Sequence, residues 1–301
     1  MASGARRPPR PEPATPRPAV PPGSPVLRTR SGPVPLSRVA LVGVLNATPD
    51  SFSDGGLHLD PARAAEAARA MVGAGAAVVD LGAESTRPGA EPVPAAEERR
   101  RLLPVLRAVR AAVPVPLSVD TMKADVARMA LDEGADLVND VSAGRFDPAM
   151  LPLVAGAAVP IVLVHMQGAP ATMQADPRYT DVTTEVADFL AARARAAVAA
   201  GVAPDRIVVD PGIGFGKTVE HNLRLLRRLD LVAAVGYPVL IGVSRKGFIG
   251  RLLGGRPAGE RMHGTAAAVA LAIAGGAKLI RVHDVAAVRD VVTVAEAIVE
   301  A

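Results

Sequence analysis

The chain has no cysteine and no tryptophan. Without thiols it makes no disulfides and no Cys-ligated zinc or iron–sulfur centre, and an intracellular, cytoplasmic location is permitted. Aromatic residues fill only 2% of the 301 positions. That is too few for the stacking platforms that grip single-stranded nucleic acid, so no nucleic-acid partner is expected. The longest apolar stretch, Ala266 to Ala277, is too short and too broken by glycine to span a membrane.

What is present is unevenly spread. The segment from Met1 to Arg38 carries seven arginines and one acid, Glu12, for a charge of +6 against +4 for the whole chain, so residues 39–301 sum to 4 − 6 = −2. The basicity therefore belongs to the tail. Eleven of the 28 prolines also fall between Pro8 and Pro35. With almost no apolar run, this segment cannot repay ordering entropy, and residues 1–37 read as a disordered extension. It lacks the apolar core of a secretory signal. Its Arg-rich, acid-poor character loosely suits a transit peptide, whereas its prolines oppose an amphipathic helix.

From residue 38 to 301 a single domain with one repeating pattern is expected. A short apolar run ends in a polar residue, followed by a loop and a segment with helical spacing. The runs are Val39–Leu45, Ala77–Leu81, Val115–Val119, Leu137–Val138, Val159–Val164, Arg206–Val209, Val239–Val243 and Lys278–Val282. They are nearly continuous in apolar residues, as parallel strands covered on both faces require. Between them, Leu102, Leu106, Val109 and Val113 recur on one helical face. Asp60-Pro61 reads as an N-cap followed by Pro at the first helical position. Gly75, Gly134 and Gly201 sit where helices would end, and residues 181–200, 218–235 and 284–300 read as further helices. Eight β/α units in about 260 residues predict a closed (β/α)8 TIM barrel. The alternative, an open doubly wound sheet, should carry a glycine fingerprint after its first strand. Here the first strand runs into NATPDSFSDGG instead.

A barrel of this kind places its chemistry at the C-terminal ends of its strands. Those ends carry Asn46, Asp80 with Glu84, Asp120, Asn139-Asp140, His165, Asp210, Ser244-Arg245-Lys246, and Arg281 with His283. Asp120, Asn139 and Asp210 could read an amidine-like edge such as a 2-amino-4-oxo ring by paired hydrogen bonds. Helix capping is the plain alternative for each, and a solvated loop is the plain alternative for the stretch after Asn46. Lys246, Arg281 and His283 follow strands seven and eight, the usual phosphate site of the fold. Arg87, on a Gly/Pro loop, adds a further cation. Together they suit an anionic substrate. PGIGFGKT is neither a Walker loop, which would need Gly at Pro211, nor a dinucleotide fingerprint, which would need Gly at Lys217. Its glycines suit close backbone approach to a flat ligand. His165 lacks a second His at helical spacing and reads as a local hydrogen-bonding group.

NATPDSFSDGG, ESTRPGA, SVDT, VNDVSAG, HMQG, DPGIGFGKT, GVSRKGFIG, ERMHGTAAA and RVHDV, in this order, resemble the dihydropteroate synthase family. The resemblance runs from about Val39 to Ala301. It implies a homodimeric TIM barrel that joins 6-hydroxymethyl-7,8-dihydropterin pyrophosphate to 4-aminobenzoate, releasing pyrophosphate and 7,8-dihydropteroate. It implies that Asp120, Asn139, Asp210 and Lys246 hold the pterin. Asn46, Arg87, Arg281 and His283 would hold the pyrophosphate, with Mg2+ at Asn46. Thr86, Pro88, Phe52, Phe215 and Ser244 would line the aminobenzoate pocket, with Met166 of HMQG among the substrate-binding groups. Asn46, Arg87, Lys246, Arg281 and His283 are the expected catalytic set. The loops at 46–56 and 84–90 are expected to close over bound substrate. Ala169 departs from a Thr common in the family. A catalytically silent pterin-binding paralogue or a pterin-dependent methyltransferase domain is the alternative, and neither would need STRPG.

Overall fold

The computed structural model describes residues 26–47, 60–87 and 89–301. In chain order the elements are β1 (Val26–Thr29), β2 (Gly32–Pro35), β3 (Ala40–Asn46), α1 (Pro61–Gly73), β4 (Ala76–Gly82), α2 (Ala95–Ala112), β5 (Leu117–Asp120) and α3 (Ala124–Asp132). They continue with β6 (Leu137–Asp140), α4 (Met150–Ala157), β7 (Ile161–Val164), α5 (Val182–Ala199), β8 (Ile207–Asp210), α6 (Val219–Arg227) and α7 (Leu229–Ala233). The last are β9 (Val239–Ile241), α8 (Gly247–Leu252), α9 (Met262–Ala274), β10 (Ala277–Val282) and α10 (Val285–Glu300). Strands β3 to β10 close into a parallel barrel, with β10 pairing β3 through Leu279↔Ala40 to Val282↔Gly43. Closure decides against the open sheet, and each of the eight apolar runs supplies one strand.

Alternate residues of each strand serve two cores. Leu41, Val79, Val209 and Ile241 face outward and pack with helical residues such as Leu102, Leu106 and Val109. Val42, Val78, Val162, Val208 and Leu240 point into the barrel. Both faces of every strand are thereby buried, which is why the runs are apolar without alternation. Asp60 caps α1 by accepting from Ala62 N at 2.9 Å, ahead of Pro61 at the first position. Gly75, Gly134 and Gly201 all take positive φ, as helix termination in the left-handed region requires.

Two expectations are corrected. Residues 218–235 form two helices, α6 and α7, interrupted at Arg228, where φ is −117° and ψ 39°. The extension expected over 1–37 is ordered from Val26, so the boundary at 37/38 is wrong; residues 1–25 lie outside the described residues. Strands β1 and β2 form an antiparallel hairpin with Thr29 opposite Gly32. Leu27, Val34 and Leu36 are buried in the same cluster as the barrel interior. Arg30 donates to Leu131 O at 3.0 Å and to Ala157 O at 3.2 Å, at the ends of α3 and α4. Ser31 donates through both N and Oγ to Asp136, at 2.6 and 3.0 Å. The hairpin thus closes the N-terminal end of the barrel, opposite the rim that carries the polar strand ends. Burial of three apolar side chains repays the ordering that the proline count seemed to forbid.

Candidate active site

Register brings the first half of the site together. Asn46 pairs with Gly82, Gly82 with Asp120, and Asp120 with Asn139, so four neighbouring strands present these positions at one level. Gly82 lies between Asn46 and Asp120: a Cβ there would stand 3.7 Å from Asn46 Oδ1 and 3.8 Å from Asp120 Oδ2, in ordinary contact with both. Asp120 does not cap α3. The capping position is Lys123, which makes no side-chain cap. Asp120 Oδ2 instead accepts from Arg281 Nη2 at 2.8 Å, and Arg281 Nε donates to Asp80 Oδ2 at 2.6 Å. One guanidinium therefore bridges two buried carboxylates. Asp120 Oδ1, Asp80 Oδ1 and Asn139 Oδ1 are buried without a hydrogen-bond partner. Orphaned buried acceptors cost free energy unless a donor arrives. These therefore mark a place for a ligand with several N–H groups.

Burial pushes the Asp120 carboxyl up to about 7 against the opposing pull of Arg281, with Asp80 adding to the rise. Burial likewise raises Asp210 to about 6, while the bond its Oδ1 accepts from Gly212 N, at 2.7 Å, and nearby Lys246 and Arg281 oppose it. Those carboxylates in turn hold Arg281 above its ordinary range despite its burial. Lys246 is lowered to about 8, first by burial and then by Arg281. Its Nζ lies 4.2 Å from the Phe215 ring centroid. In the segment after β9, Ser244 and Lys246 face the mouth. Arg245, at φ +58°, turns away and pairs with Asp284 through Nε at 2.9 Å. Ser244 Oγ meets His283 Nδ1 at 3.0 Å. Burial, then Arg281, lowers His283 to about 4, so the ring is neutral at pH 7. Thr86 and the exposed Arg87 stand on the loop after β4. Met166 is buried beside the site. Phe52, Pro88 and most of the 46–56 loop lie outside the described residues.

Four other polar strand ends bond to the protein itself. Asp140 binds Ser142 and Gly144 of its own loop. Glu84 pairs with Lys123. His165 makes the local bond expected of it: its Nδ1 lies 2.8 Å from Lys217 Nζ. The fourth, Asp80, orients Arg281 and had no role assigned from sequence; its signal was a carboxylate inside the apolar strand AAVVDLG. Lys217 is also new. It is fully buried, donates to Gly212 O and Phe215 O at 2.9 Å each, and is driven well below its usual range by burial. The PGIGFGK glycines admit protein backbone more than ligand, correcting the earlier reading. A Cβ on Gly212 would stand 1.8 Å from His165 O, and one on Gly216 2.5 Å from Gln167 O.

The barrel mouth thus carries buried acceptors with Arg281 and Lys246 among them. The model of the pterin binding enzyme family matches residues 42–283. The chain belongs to the pterin-binding enzyme family. Within it, the chain is 46% identical to a dihydropteroate synthase of Synechocystis sp., over 87% of this chain and 90% of that one. The structure of Xanthomonas albilineans dihydropteroate synthase with 4-aminobenzoic acid superposes with a TM-score of 0.86 at 44% identity, covering 92% of this chain and 98% of the other. The Yersinia pestis dihydropteroate synthase in complex with a sulfonamide drug gives a TM-score of 0.87 at 41% identity, covering 92% and 100%. Of the pterin-binding residues expected from the family resemblance, Asp120, Asn139, Asp210 and Lys246 all reach the barrel mouth.

Proposed function

We propose that this pterin-binding enzyme is a dihydropteroate synthase, a transferase of folate biosynthesis. It would join 6-hydroxymethyl-7,8-dihydropterin pyrophosphate to 4-aminobenzoate. The observation that carries the reading is the pair of orphaned acceptors, Asp120 Oδ1 and Asn139 Oδ1, beside Arg281 and Lys246. A 2-amino-4-oxo pterin offers N–H donors to the acceptors and an anion to the cations.

In the reaction the bond between the pterin methylene carbon and the pyrophosphate oxygen breaks first. Pyrophosphate leaves with the bonding pair, and the ring stabilises the cation left behind. The neutral aniline nitrogen attacks that carbon and then sheds a proton. An arylamine is already unprotonated at pH 7, so no strong general base is needed. Rate comes mainly from fixed charge facing the departing anion, supplied by Arg281, Lys246 and Arg87. Neutral His283 adds a hydrogen bond set by Ser244. Loops 46–56 and 84–90 would exclude water, which would otherwise trap the cation.

Mg2+ belongs to this reading, with Asn46 holding it. Among the described residues no group of three or more His, Cys, Asp or Glu could hold a metal. The single amide oxygen of Asn46 suits an ion whose other positions are filled by water and substrate phosphates. When bound, the ion would neutralise leaving-group charge. A homodimer is proposed from the apolar faces of α6, α8, α9 and α10. A cytoplasmic location is proposed along with this reading; no described helix is long and apolar enough to cross a membrane. Sulfonamides, as aminobenzoate mimics, should compete with that substrate.

The assay is pyrophosphate release from the pterin pyrophosphate, 4-aminobenzoate and Mg2+. Release dependent on both organic substrates is expected. Pterin binding without release would overturn the synthase assignment.

A further inference from the structure

We infer that Lys123 is a positioning residue, holding the loop after β4 in register with β5 by way of Glu84. This rests on the proposed reading in which Thr86 and Arg87 of that loop meet the aminobenzoate and the pyrophosphate. Lys123 itself touches neither substrate.

Lys123 Nζ lies 2.7 Å from Glu84 Oε2 and 2.7 Å from Glu98 Oε2. The side chains of Lys123, Glu84 and Glu98 are 12%, 6% and 0% exposed. Charges so withdrawn from water hold their geometry tightly, because a broken pair leaves a buried charge unmatched. The other oxygen of Glu84, Oε1, accepts from Val93 N at 2.8 Å. One carboxylate therefore pinches both ends of the 84–93 loop, and Lys123 ties that pinch to the protein body. Lys123 lies three residues beyond Asp120, so the tie runs from the pterin-reading strand to the loop bearing Thr86 and Arg87.

Packing alone does not fix this loop. A cavity of about 290 Å³ lies against it, bounded by Ser85 and Pro92 on the loop side and by Met122, Met166 and Ala169 opposite. A span beside a void lacks the interdigitated contacts that hold a close-packed segment. Polar ties take over: the Glu84 pinch at the base and Gly89 N to Pro170 O, at 3.1 Å, near the tip. Without Lys123, Glu84 and Glu98 would face each other uncompensated. Glu98 already has a buried, unpartnered Oε1. Burial already raises Glu98, so it would take up a proton, and the Glu84 carboxylate would lose its anchor to the segment after β5.

The test is Lys123→Met, assayed with each substrate varied in turn and with calorimetry of pterin pyrophosphate binding alone. The KM for 4-aminobenzoate should rise about fivefold or more and kcat/KM fall about tenfold. The Kd for the pterin substrate should stay within about twofold, and Lys123→Arg should recover most of the loss. Glu84→Gln keeps the shape and the Val93 acceptor; it should raise the same KM by about threefold or more. A lower melting temperature with unaltered KM in both variants overturns the inference, as does a pterin Kd that weakens by the same factor as KM. The unsubstituted protein in the same assay separates the two levels. No turnover there refutes the functional reading and this inference with it, whereas normal turnover there and unchanged KM in both variants refute only the role of Lys123.

Discussion

Asp210 illustrates how much a single residue of this site disclosed in advance. It ends the apolar run IVVD, and a carboxylate at the tip of a buried strand has either a helix to cap or a ligand to meet. Its Oδ1 accepts from Gly212 N, and its neighbours are Lys246, Arg281 and Lys217. Replacing it by Asn exchanges one acceptor oxygen for a donor and removes a charge. Pterin affinity should fall about tenfold to a hundredfold, read by calorimetry; unaltered affinity would exclude a direct contact. The pH dependence follows from the same groups. Asp120 and Asp210 titrate near 7 and 6, well above their unfolded value of 3.8. Their contribution to folding stability is therefore fully present below about pH 4 and is lost as pH rises through 6 and 7. Ligand N–H groups bind the ionised form, so pterin affinity should climb over the same interval. Above about 8, Lys246 loses its charge and the anion loses a partner. A bell-shaped kcat/KM is expected, and Asp210→Asn should leave an acid limb near 7 set by Asp120. A flat profile between about pH 5 and 9 would exclude these assignments. Lys217 was not legible in the same way. A lysine in a Gly-rich loop reads as solvated, and only the fold brings the 165–167 segment over it.

The eight barrel strands were legible at the level of elements because burial on both faces leaves no room for polar alternation. The β1–β2 hairpin was not. GPVP has two prolines in four positions, and prolines are tolerated there because the pair forms its own two-stranded sheet with free edges. Its stability comes from the barrel floor that it covers, which no local pattern announces. Leu27, 1% exposed, packs in the cluster with Val42, Val78 and Leu279. Leu27→Ala should cost about 2–5 kcal/mol, measured by denaturant unfolding. It lies at the end of the barrel opposite the rim, so kcat and both KM values should be unchanged at temperatures where the variant is folded. A changed KM for either substrate would mean that the floor and the rim are mechanically coupled.

Across the whole molecule, charge and apolar surface part company. The cations of the mouth come from strand β10 and from loops, whereas seven of the nine exposed large hydrophobic side chains among the described residues lie on or at the ends of α6, α8, α9 and α10. Contact pairs α6·α8, α6·α9 and α9·α10 place these helices side by side. Leu271 is 65% and Ile298 72% exposed. Apolar side chains gathered on neighbouring helices are costly to leave in water, and a two-fold dimer through these helices would bury them on both copies. The sequence could not reveal it, since Leu271 sits in the helix MHGTAAAVALAIA, apolar throughout after Thr265, where no polar stripe distinguishes a solvent face from a partner face. A charge placed there would be buried in such a dimer without a partner. Leu271→Glu should weaken dimerisation about a hundredfold or more, equivalent to about 3 kcal/mol. Sedimentation velocity with fluorescence detection at about 10 nM, where a hundredfold loss takes a dimer of nanomolar Kd from mostly dimer to mostly monomer, would read it directly. A site complete within one chain predicts that the monomeric variant keeps kcat within about twofold. If the unsubstituted protein sediments as a monomer, these helices meet something other than a second copy. If the variant is monomeric and inactive, the partner completes the site.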